Sequence, residues 1–278
     1  MSVQTHGLEQ ELDAAVRLAR EAGGAALGHY GTATARSKEG GSPVTEADHA
    51  ANRVIVAGLR GAFPEDAILS EESRDDRSRL DARRVWIVDP LDGTKEFLAE
   101  NGEFSVMIGL VEDGEPVLGV VYRPDGDVLY RAARDAGAFV ERGGRTARLA
   151  PPPAEAGALR MVGSRSHGDP LIDRIRDALG VQDVRPSGSV GLKCALIAEG
   201  ERDLYVHPVP YLKEWDTCAP EVILREAGGD VTDCLGGRLE YNKADPRQPH
   251  GILATAPGVH DGVLEAVRPL YGDGAGNG

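Results

Sequence analysis

The spacing of apolar residues predicts two amphipathic helices in the first part of the chain. In one segment, apolar residues recur every three or four positions, as helical geometry requires: Leu8, Leu12, Val16 and Ala19. A second segment carries a stripe with similar spacing: Val54, Ile55, Leu59 and Phe63. Thr45 precedes this stripe as a candidate N-cap, and Pro64 follows it, where a helix is expected to have ended.

Short apolar runs predict strands in the middle of the chain. Two of these runs, "AILSEES" and "RVWIVDP", end in acidic residues. The dipeptide Asp113-Gly114 separates two further β-rich runs, which is a hairpin signal. Later strands are predicted in shorter stretches: "DVTDC", "GRLEY" and "GILATA".

Consecutive prolines at residues 151–153 predict a linker, because proline fits neither a helix interior nor a central strand. We therefore expect an N-terminal α+β lobe over residues 1–150 that carries most metal ligands, a C-terminal α/β lobe over 154–270, and a disordered tail over 271–278. Helices alternate with antiparallel strand patterns along the chain. This alternation predicts an α+β fold in which sheets and helices form layers.

The stretch "WIVDPLDGTKEF" places Asp89, Asp92 and Glu96 directly after an apolar run. Such a cluster can be a solvated turn, an aspartyl nucleophile that accepts a phosphoryl group, or a divalent-metal site. The phosphatase motif Asp-x-Asp-Gly-Thr needs a carboxylate two residues before Asp92, where Pro90 stands. A calcium loop needs alternating oxygen ligands that this stretch lacks.

The backbone of the same stretch favours a magnesium site. Pro90 bends the chain, so that the Leu91 carbonyl and the Asp92 carboxylate can turn toward one centre. Gly93 lets the backbone approach a ligand, and the amides of Gly93 and Thr94 can bind phosphate if a helix follows. Hard oxygen ligands beside a phosphate suit magnesium better than zinc.

Two other acidic segments strengthen this interpretation. Glu71 and Glu72 end the earlier strand, and Asp216 follows Trp215 at a predicted helix start. Taken singly, the glutamates are equally typical of a solvated acidic pair, and Asp216 of an ordinary N-cap. The three acidic segments together, in this order, fit a chain that gathers scattered carboxylates around metal ions.

Composition excludes some classes of function. The formal net charge of −14 argues against a nucleic-acid partner, which would require a basic face, but allows a small anionic ligand beside a metal. The three cysteines form no CxxC pair, so we expect reduced thiols in a cytoplasmic protein. No signal peptide and no apolar run of about 18 residues is present, so we expect no membrane partner.

Four motifs resemble the inositol monophosphatase superfamily of magnesium-dependent, lithium-sensitive phosphatases: "PVTEAD", "LSEES", "DPLDGTKEF" and "WDTCAPEVILREAGG". Within it, Lys95-Glu96, "GSRSH" and "GSVGLK" resemble the CysQ-like 3'(2'),5'-bisphosphate nucleotidases of sulfur metabolism. The resemblance implies a layered αβαβα sandwich and two or three Mg²⁺ ions per site. It also implies inhibition by Li⁺ and a homodimer, although no interface is legible in the sequence.

The resemblance implies a role for each matching position. The Mg²⁺ ligands would be Glu71, Asp89, the Leu91 carbonyl, Asp92 and Asp216. Asp48 and Thr94 would polarise the attacking water. The substrate would contact Gly93, Thr94, Lys95, Ser164, His167 and Lys193. Without the resemblance, Asp48 is typical of a first helical turn, His167 of a loop and Lys193 of a helix surface.

The predicted reaction removes the 3'-phosphate of 3'-phosphoadenosine 5'-phosphate by attack of a metal-activated water, giving AMP and phosphate, and extends to the related phosphosulfate. Lys193, Arg165 or Lys213 would make the cleft locally positive. The alternatives are another phosphate ester, such as inositol monophosphate, histidinol phosphate or fructose 1,6-bisphosphate, and a binding protein without catalysis. The charged segment at 73–84 has no assigned role and is typical of solvated surface.

Overall fold

The computed structural model describes residues 7–37, 43–165, 168–208 and 210–274. Within these ranges the chain forms the following α-helices: α1 Glu9–Leu27, α2 Glu46–Ala62, α3 Thr94–Leu98, α4 Pro170–Ala178, α5 Val190–Ala198, α6 Glu214–Glu226 and α7 His260–Gly274. A short 3-10 helix spans Ser78–Asp81. Helix α2 begins as predicted, because the Thr45 side chain accepts a hydrogen bond from the Ala47 amide.

A seven-stranded sheet is built from consecutive strands in the first part of the chain. Its strands are β3 Ala67–Ser70, β4 Arg84–Asp92, β5 Ser105–Glu112, β6 Glu115–Arg123, β7 Val128–Ala133, β8 Gly137–Arg142 and β9 Arg145–Leu149. Strands β3 and β4 are parallel, and every later pair is antiparallel. The predicted hairpin joins β5 to β6, and Asp113 and Gly114 both have positive φ, as a tight hairpin turn requires. Ahead of this sheet, β1 Arg36–Ser37 pairs with β2 Pro43–Val44.

A five-stranded mixed sheet follows the prolines. It contains β10 Arg160–Ser164, β11 Asp183–Ser187, β12 Leu204–His207, β13 Asp230–Thr232 and β14 Ile252–Thr255. The spatial order is β11-β10-β12-β14-β13, with β10 parallel to both of its neighbours and β14 antiparallel to both of its own. Strands "DVTDC" and "GILATA" are therefore confirmed as β13 and β14.

Alternation along β4 shows how the layers stack. Trp86 and Val88 pack in one hydrophobic cluster with α1 and α2, whereas Val85 and Ile87 pack in another with α5 and α6. That second cluster also takes in residues of the five-stranded sheet, so α5 and α6 lie between the two sheets. A third cluster joins the far face of the five-stranded sheet to α4 and α7. The predicted layered αβαβα, α+β architecture is confirmed.

Two elements differ from the sequence prediction. The predicted strand "GRLEY" forms no strand, because its end is bonded to α6 instead of to a neighbouring strand: the Tyr241 hydroxyl donates to Glu221, and the amide of the next residue, Asn242, donates to Glu214. Helix α7 extends to Gly274 and so includes the first part of the predicted tail, while residues 275–278 lie outside the described ranges. The predicted division at the prolines stays a prediction, and the central hydrophobic cluster contains residues from both sides of it.

Candidate active site

An irregularity at the end of β4 turns two carboxylates to the same side. Asp89 pairs with Met107 and Asp92 with Ser105, so three steps on β4 oppose two on β5. In a regular strand, residues three apart face opposite ways, and the extra residue of a bulge corrects this. Pro90 lies within the irregularity and offers no amide to the ladder. Asp89 and Asp92 can therefore both face the cavity beside α6.

A glycine joins β4 to α3. Gly93 has φ of 99°, which L side chains rarely adopt, and a Cβ there would lie 3.0 Å from the Glu103 carbonyl oxygen. The chain can therefore turn from β4 directly into α3, which begins at Thr94. The turn and the close approach to Glu103 both explain glycine at this position, while the predicted approach of the backbone to a ligand stays a prediction.

Asp216 reaches the same place from the other side of the molecule. It lies in the first turn of α6, where one carboxylate oxygen accepts a hydrogen bond of 2.6 Å from the Lys213 amide. Oxygen atoms of Asp89, Asp92 and Asp216 all lie within 4.8 Å of one another. We call Asp89, Asp92 and Asp216 the acidic cluster. The Asp216 carboxylate thus belongs to this cluster and also caps the start of α6.

The acidic cluster is electrostatically unfavourable as it stands. Burial, together with the charges of Glu71, Asp92 and Asp216, raises the pKa of Asp89 well above its ordinary value. Burial, Asp92 and Glu71 likewise raise the pKa of Asp216. Hard carboxylate oxygens that repel one another in a buried site are the donor set that a divalent magnesium ion neutralises. These residues therefore fit a bound Mg²⁺.

Asp92 differs from the other two carboxylates because protein groups partly offset its burial. Burial raises its pKa, while Lys193, the Ser189 hydroxyl and the Gly191 amide lower it. Ser189 Oγ donates to Asp92 Oδ2 at 2.6 Å, and the Gly191 amide donates to the same oxygen at 3.2 Å. These contacts fix the orientation of the carboxylate.

Ser189 is a functional residue that the sequence analysis missed. It caps α5 by accepting from the Leu192 amide, and it has φ of 51°, which is uncommon for a residue other than glycine. Its hydroxyl also lies 2.8 Å from that of buried Ser105 on β5. The only signal was its place in "GSVGLK", and nothing in that segment indicates Asp92 as its partner.

Lys193 is buried within the site. Its side chain is 4% exposed, so the alternative of a surface lysine on α5 is wrong. Nζ donates to the Ser189 carbonyl at 3.1 Å and lies 5.2 Å from the centre of the Tyr205 ring. Burial lowers the pKa of Lys193, and the charge of Asp92 opposes that shift. The lysine therefore supplies a positive charge beside the acidic cluster.

Asp48 and Thr94 form a second polar pair. Thr94 Oγ1 donates to Asp48 Oδ1 at 3.0 Å. Asp48 Oδ2 accepts from both the amide and the hydroxyl of Thr45, each at 2.8 Å. Asp48 is thus a capping-box residue in the first turn of α2 and also the hydrogen-bond partner of Thr94.

Most of the predicted site residues line a single cavity of about 560 Å³. Its lining includes every predicted metal ligand and most predicted substrate contacts: Glu71, Asp89, Leu91, Asp92, Gly93, Thr94, Lys95, Ser164, Lys193 and Asp216. Asp48 is not part of the lining and contacts the cavity through Thr94. His167 lies outside the described residues, so its predicted contact stays a prediction.

Four aromatic residues on the cavity wall were not predicted as site residues: Tyr205, His207, Tyr211 and Trp215. Tyr211 is 77% exposed, and the Lys213 ammonium lies 4.8 Å from the centre of the Trp215 ring. Only Trp215 could have been found from sequence, because it directly precedes Asp216. The others lie in or just after β12, where the sequence carries no acidic motif of its own.

Arg165 does not supply the predicted free positive charge. Its guanidinium bonds both carboxylate oxygens of Glu103, each at 2.7 Å. Glu103 also accepts from the Gly188 amide at 2.8 Å. The ion pair therefore joins the loop after α3 to the end of β10, and the Gly188 bond joins the same loop to the segment after β11. Lys193 and Lys213 bring positive charge to the cavity.

Among the described residues, no helix is both long enough and apolar enough to cross a membrane.

Comparison with known proteins shows that the chain is similar to inositol monophosphatases and bisphosphate nucleotidases. The model of the inositol monophosphatase family matches residues 8–270. The 3'(2'),5'-bisphosphate nucleotidase CysQ of Escherichia coli K12 is 42% identical over 237 residues, which cover 83% of this chain and 93% of that protein. The 3'-phosphoadenosine 5'-phosphate phosphatase of Mycobacterium leprae is 36% identical and covers 81% and 82% of the two chains.

Solved structures agree with these relationships. CysQ from Bacteroides thetaiotaomicron superposes with a TM-score of 0.75 at 35% identity and covers 88% of this chain and 97% of its own. The inositol monophosphatase of Thermotoga maritima gives a TM-score of 0.79 at 29% identity, with coverage of 95% and 98%. The predicted resemblance is confirmed: the chain belongs to the inositol monophosphatase family.

Proposed function

We propose that the protein is a magnesium-dependent phosphatase that removes the 3'-phosphate of 3'-phosphoadenosine 5'-phosphate. The products are AMP and phosphate, and the related phosphosulfate is a second substrate. The observation that carries the proposal is the convergence of Asp89, Asp92 and Asp216 beside the Gly93–Thr94 turn. The family consists of metal-dependent phosphatases, and relatives 36–42% identical are named for hydrolysis of this nucleotide.

The metal-binding part of the proposal rests on the acidic cluster. Five groups would hold two or three Mg²⁺ ions: the carboxylates of Glu71, Asp89, Asp92 and Asp216 and the carbonyl of Leu91. Magnesium supplies a Lewis acid that lowers the pKa of water and neutralises charge on phosphate oxygens. The raised pKa values of Asp89 and Asp216 support this assignment, because they reflect negative charge that the protein itself leaves poorly compensated.

Asp48 and Thr94 move the proton of the attacking water. Since the Thr94 hydroxyl donates to Asp48, its oxygen is oriented to accept a proton from water while its own proton passes to the carboxylate. Thr45 holds the other Asp48 oxygen, so the pair is oriented before substrate arrives. No covalent enzyme intermediate is required, because water attacks the phosphorus directly.

The substrate phosphate is bound where β4 meets α3. The left-handed conformation of Gly93 turns the backbone there, and the amides of Gly93 and Thr94 donate to phosphate oxygens. Helix α3 has only five residues, so its dipole adds little and the amides themselves carry the interaction.

Cationic side chains supply the preference for a nucleotide with two phosphates. Lys95, Lys193 and Lys213 all line the cavity, and Ser164 lies at the end of β10 on the same wall. An inositol monophosphate has a single phosphate and needs fewer positive charges. We therefore favour the bisphosphate nucleotide, and we assign its second phosphate and sugar to this lysine-bearing wall and to His167.

The direct test is phosphate release from 3'-phosphoadenosine 5'-phosphate with Mg²⁺, with and without Li⁺. We expect turnover that requires Mg²⁺, falls with Li⁺ and is lost in Asp89→Asn. Asp173→Asn, an exposed carboxylate on α4, is the matched control and is expected to keep full activity. In ¹⁸O-water, the label is expected in the released phosphate after a single turnover.

Two outcomes would contradict the proposal. Label that appears first in an enzyme carboxylate would show a covalent mechanism. Mg²⁺ binding without turnover of any phosphate monoester would instead indicate a non-catalytic binding protein on the same scaffold.

A further inference from the structure

The charged segment at 73–84 contains a buried arginine, contrary to the expectation of a solvated surface. The 3-10 helix Ser78–Asp81 lies within it, and Arg79 is only 2% exposed. Burial of a guanidinium is costly unless each of its donors is bonded and its charge is paired. The contacts of Arg79 therefore show which parts of the chain this segment binds.

Arg79 joins its own loop to a distant segment. Nε and Nη2 bond the two carboxylate oxygens of Asp75 at 3.2 and 2.9 Å, which pairs the charge locally. Nη1 donates to Asn242 Oδ1 at 2.8 Å, and Nη2 donates to the Lys243 carbonyl at 2.9 Å. Asn242 Nδ2 returns a bond of 3.0 Å to the Arg79 carbonyl. Two stretches of chain far apart in sequence are thus linked in both directions.

The far side of this link is the start of α6. Glu214, the first residue of the helix, is 0% exposed. Its two carboxylate oxygens accept the amides of Asn242 and Lys243 at 2.7 and 2.9 Å. Asn242 has φ of 59°, a left-handed conformation that asparagine adopts more readily than most residues. Its amide donates to Glu214, while its side-chain oxygen accepts from Arg79. We call Asp75, Arg79, Glu214, Asn242 and Lys243 the Arg79 network.

Each end of the Arg79 network lies close along the chain to a proposed metal ligand, Asp75 to Glu71 and Glu214 to Asp216. The loop that carries Arg79 leaves β3 just before Glu71 and returns into β4, which carries Asp89. Glu214 lies two residues before Asp216 on α6. The Arg79 network therefore spans the gap between the elements that bring carboxylates from the two sides of the cavity.

We infer that Arg79 is a positioning residue for the metal site, which through Asn242 and Glu214 fixes the start of α6, and so Asp216, relative to Glu71 and Asp89. The inference rests on the proposed function in one respect, that these carboxylates hold Mg²⁺. Mutual repulsion of the carboxylates favours their separation when no cation is bound. A rigid link between the two sides keeps the donor set assembled and lowers the cost of binding.

The alternative is that the Arg79 network only stabilises the fold. A Mg²⁺ titration in the absence of substrate separates the two roles, since the stabilisation that a ligand gives grows with the logarithm of its concentration divided by its dissociation constant. The variants are Arg79→Met, Arg79→Lys and Asn242→Gly. Glycine tolerates the positive φ at 242, so Asn242→Gly removes the side-chain bonds to Arg79 and keeps the backbone bond to Glu214. This milder variant decides the question if Arg79→Met does not fold.

The expected result is a weaker Mg²⁺ site. The Mg²⁺ dissociation constant, from calorimetry and from the thermal shift, should rise about 10-fold in Arg79→Met and in Asn242→Gly. Arg79→Lys should fall between Arg79→Met and wild type, because lysine keeps the charge but not the forked geometry. The double variant should weaken Mg²⁺ binding by less than the product of the two single effects, because both changes remove the bond between Arg79 Nη1 and Asn242 Oδ1.

Arg131→Met is the matched control. Arg131 lies on β7, where it bonds Glu141 at 2.7 Å, and it is not among the residues that line the cavity. The Arg131→Met variant should have a lower unfolding temperature than the wild type but the same Mg²⁺ affinity. Equal Mg²⁺ affinity in wild type, Arg79→Met and Asn242→Gly would overturn the inference. The titration uses no nucleotide, so failure of the wild type to hydrolyse 3'-phosphoadenosine 5'-phosphate would reject the proposed function and leave this result standing.

Discussion

At the scale of single residues, the charges that suit Asp89 to binding a cation also destabilise the protein without one. Asp89 is 1% exposed, and its burial, together with the negative charges around it, raises its pKa. Its Oδ1 accepts from the Leu91 amide at 3.0 Å, a bond that an asparagine oxygen can also accept. Replacement by asparagine therefore changes charge and little else.

We predict that Asp89→Asn stabilises the metal-free protein by about 1 kcal/mol, because it removes a repulsive buried charge. The same variant should lose the rise in unfolding temperature that Mg²⁺ gives the wild type. Chemical denaturation with and without Mg²⁺ measures both effects. A variant that is less stable without metal, yet still stabilised by Mg²⁺, would show that Asp89 is not a ligand.

Thr94 gives a second prediction at this scale. Valine has nearly the same shape as threonine but cannot relay a proton to Asp48. We expect Thr94→Val to lower kcat by about 10²–10³-fold with Mg²⁺ affinity unchanged, and Thr94→Ser to retain most of kcat. Steady-state kinetics at saturating Mg²⁺ measures this difference. Equal kcat for Thr94→Val and wild type would remove the hydroxyl from the proposed proton path.

At the scale of elements, the site depends on how β4 ends. The irregular pairing with β5 turns Asp89 and Asp92 to one side, and Gly93 then starts α3 without a connecting loop. The two carboxylates and the phosphate-binding amides are thus set by a few backbone angles. Strain introduced there would disturb metal and substrate binding together.

We predict that Gly93→Ala destabilises the protein by about 1–3 kcal/mol, because alanine is strained at this φ and its Cβ meets the Glu103 carbonyl. Gly61→Ala in α2 is the control, since that glycine is helical and a Cβ there meets nothing within 4 Å. It should stabilise by about 0.5 kcal/mol. Denaturant unfolding of both variants measures the contrast, and equal effects would contradict the argument.

At the scale of the whole molecule, five layers must stay in register for the cavity to form. His260, at the start of α7, helps to join the layer of α4 and α7 to the five-stranded sheet beside it. Its ring nitrogens lie 3.0 Å from Thr255 Oγ1 on β14 and 3.1 Å from Thr232 Oγ1 on β13. Burial lowers the pKa of His260 below its ordinary value of 6.5, although Asp230 and Asp261 oppose the shift.

This shift predicts a pH dependence of stability. Unfolded His260 takes up a proton near pH 6.5, whereas the folded histidine does so only at lower pH. The unfolded state therefore binds more protons in that interval, and the free energy of unfolding should fall as pH drops below about 6.5. His260→Gln should show a smaller fall between pH 7 and pH 5.5 in parallel denaturation curves. An unchanged slope would contradict the assignment.

Local features of the sequence predicted much of the fold and the acidic motifs. Thr45 as an N-cap, the Asp113-Gly114 hairpin and the glycine after Asp92 each follow from rules that act within a few residues. The alternation of helices and strands predicted layers of sheets and helices, but their αβαβα order was implied only by the family resemblance, because periodicity alone does not order layers. The structural role of a residue could therefore be predicted from the sequence where it depends on positions nearby in the chain.

Contacts between distant segments were not predictable in the same way. Ser189 bonds Asp92, and Arg165 pairs with Glu103, although nothing near any of these residues indicates its partner. Arg79 was interpreted as surface because its neighbours are charged, whereas it is bonded across the molecule. The stretch "GRLEY" resembles a strand locally, but tertiary bonds to α6 decide its conformation.

The central claim is that the cavity selects a nucleotide with two phosphates. The most direct measurement is the ratio of kcat/KM for 3'-phosphoadenosine 5'-phosphate to that for inositol 1-phosphate, with saturating Mg²⁺. We predict a ratio far above one in the wild type and a marked fall in Lys193→Met, because that lysine lines the cavity beside Asp92. A preference for inositol 1-phosphate, unaffected by Lys193→Met, would keep the metal site and contradict the assignment of the substrate.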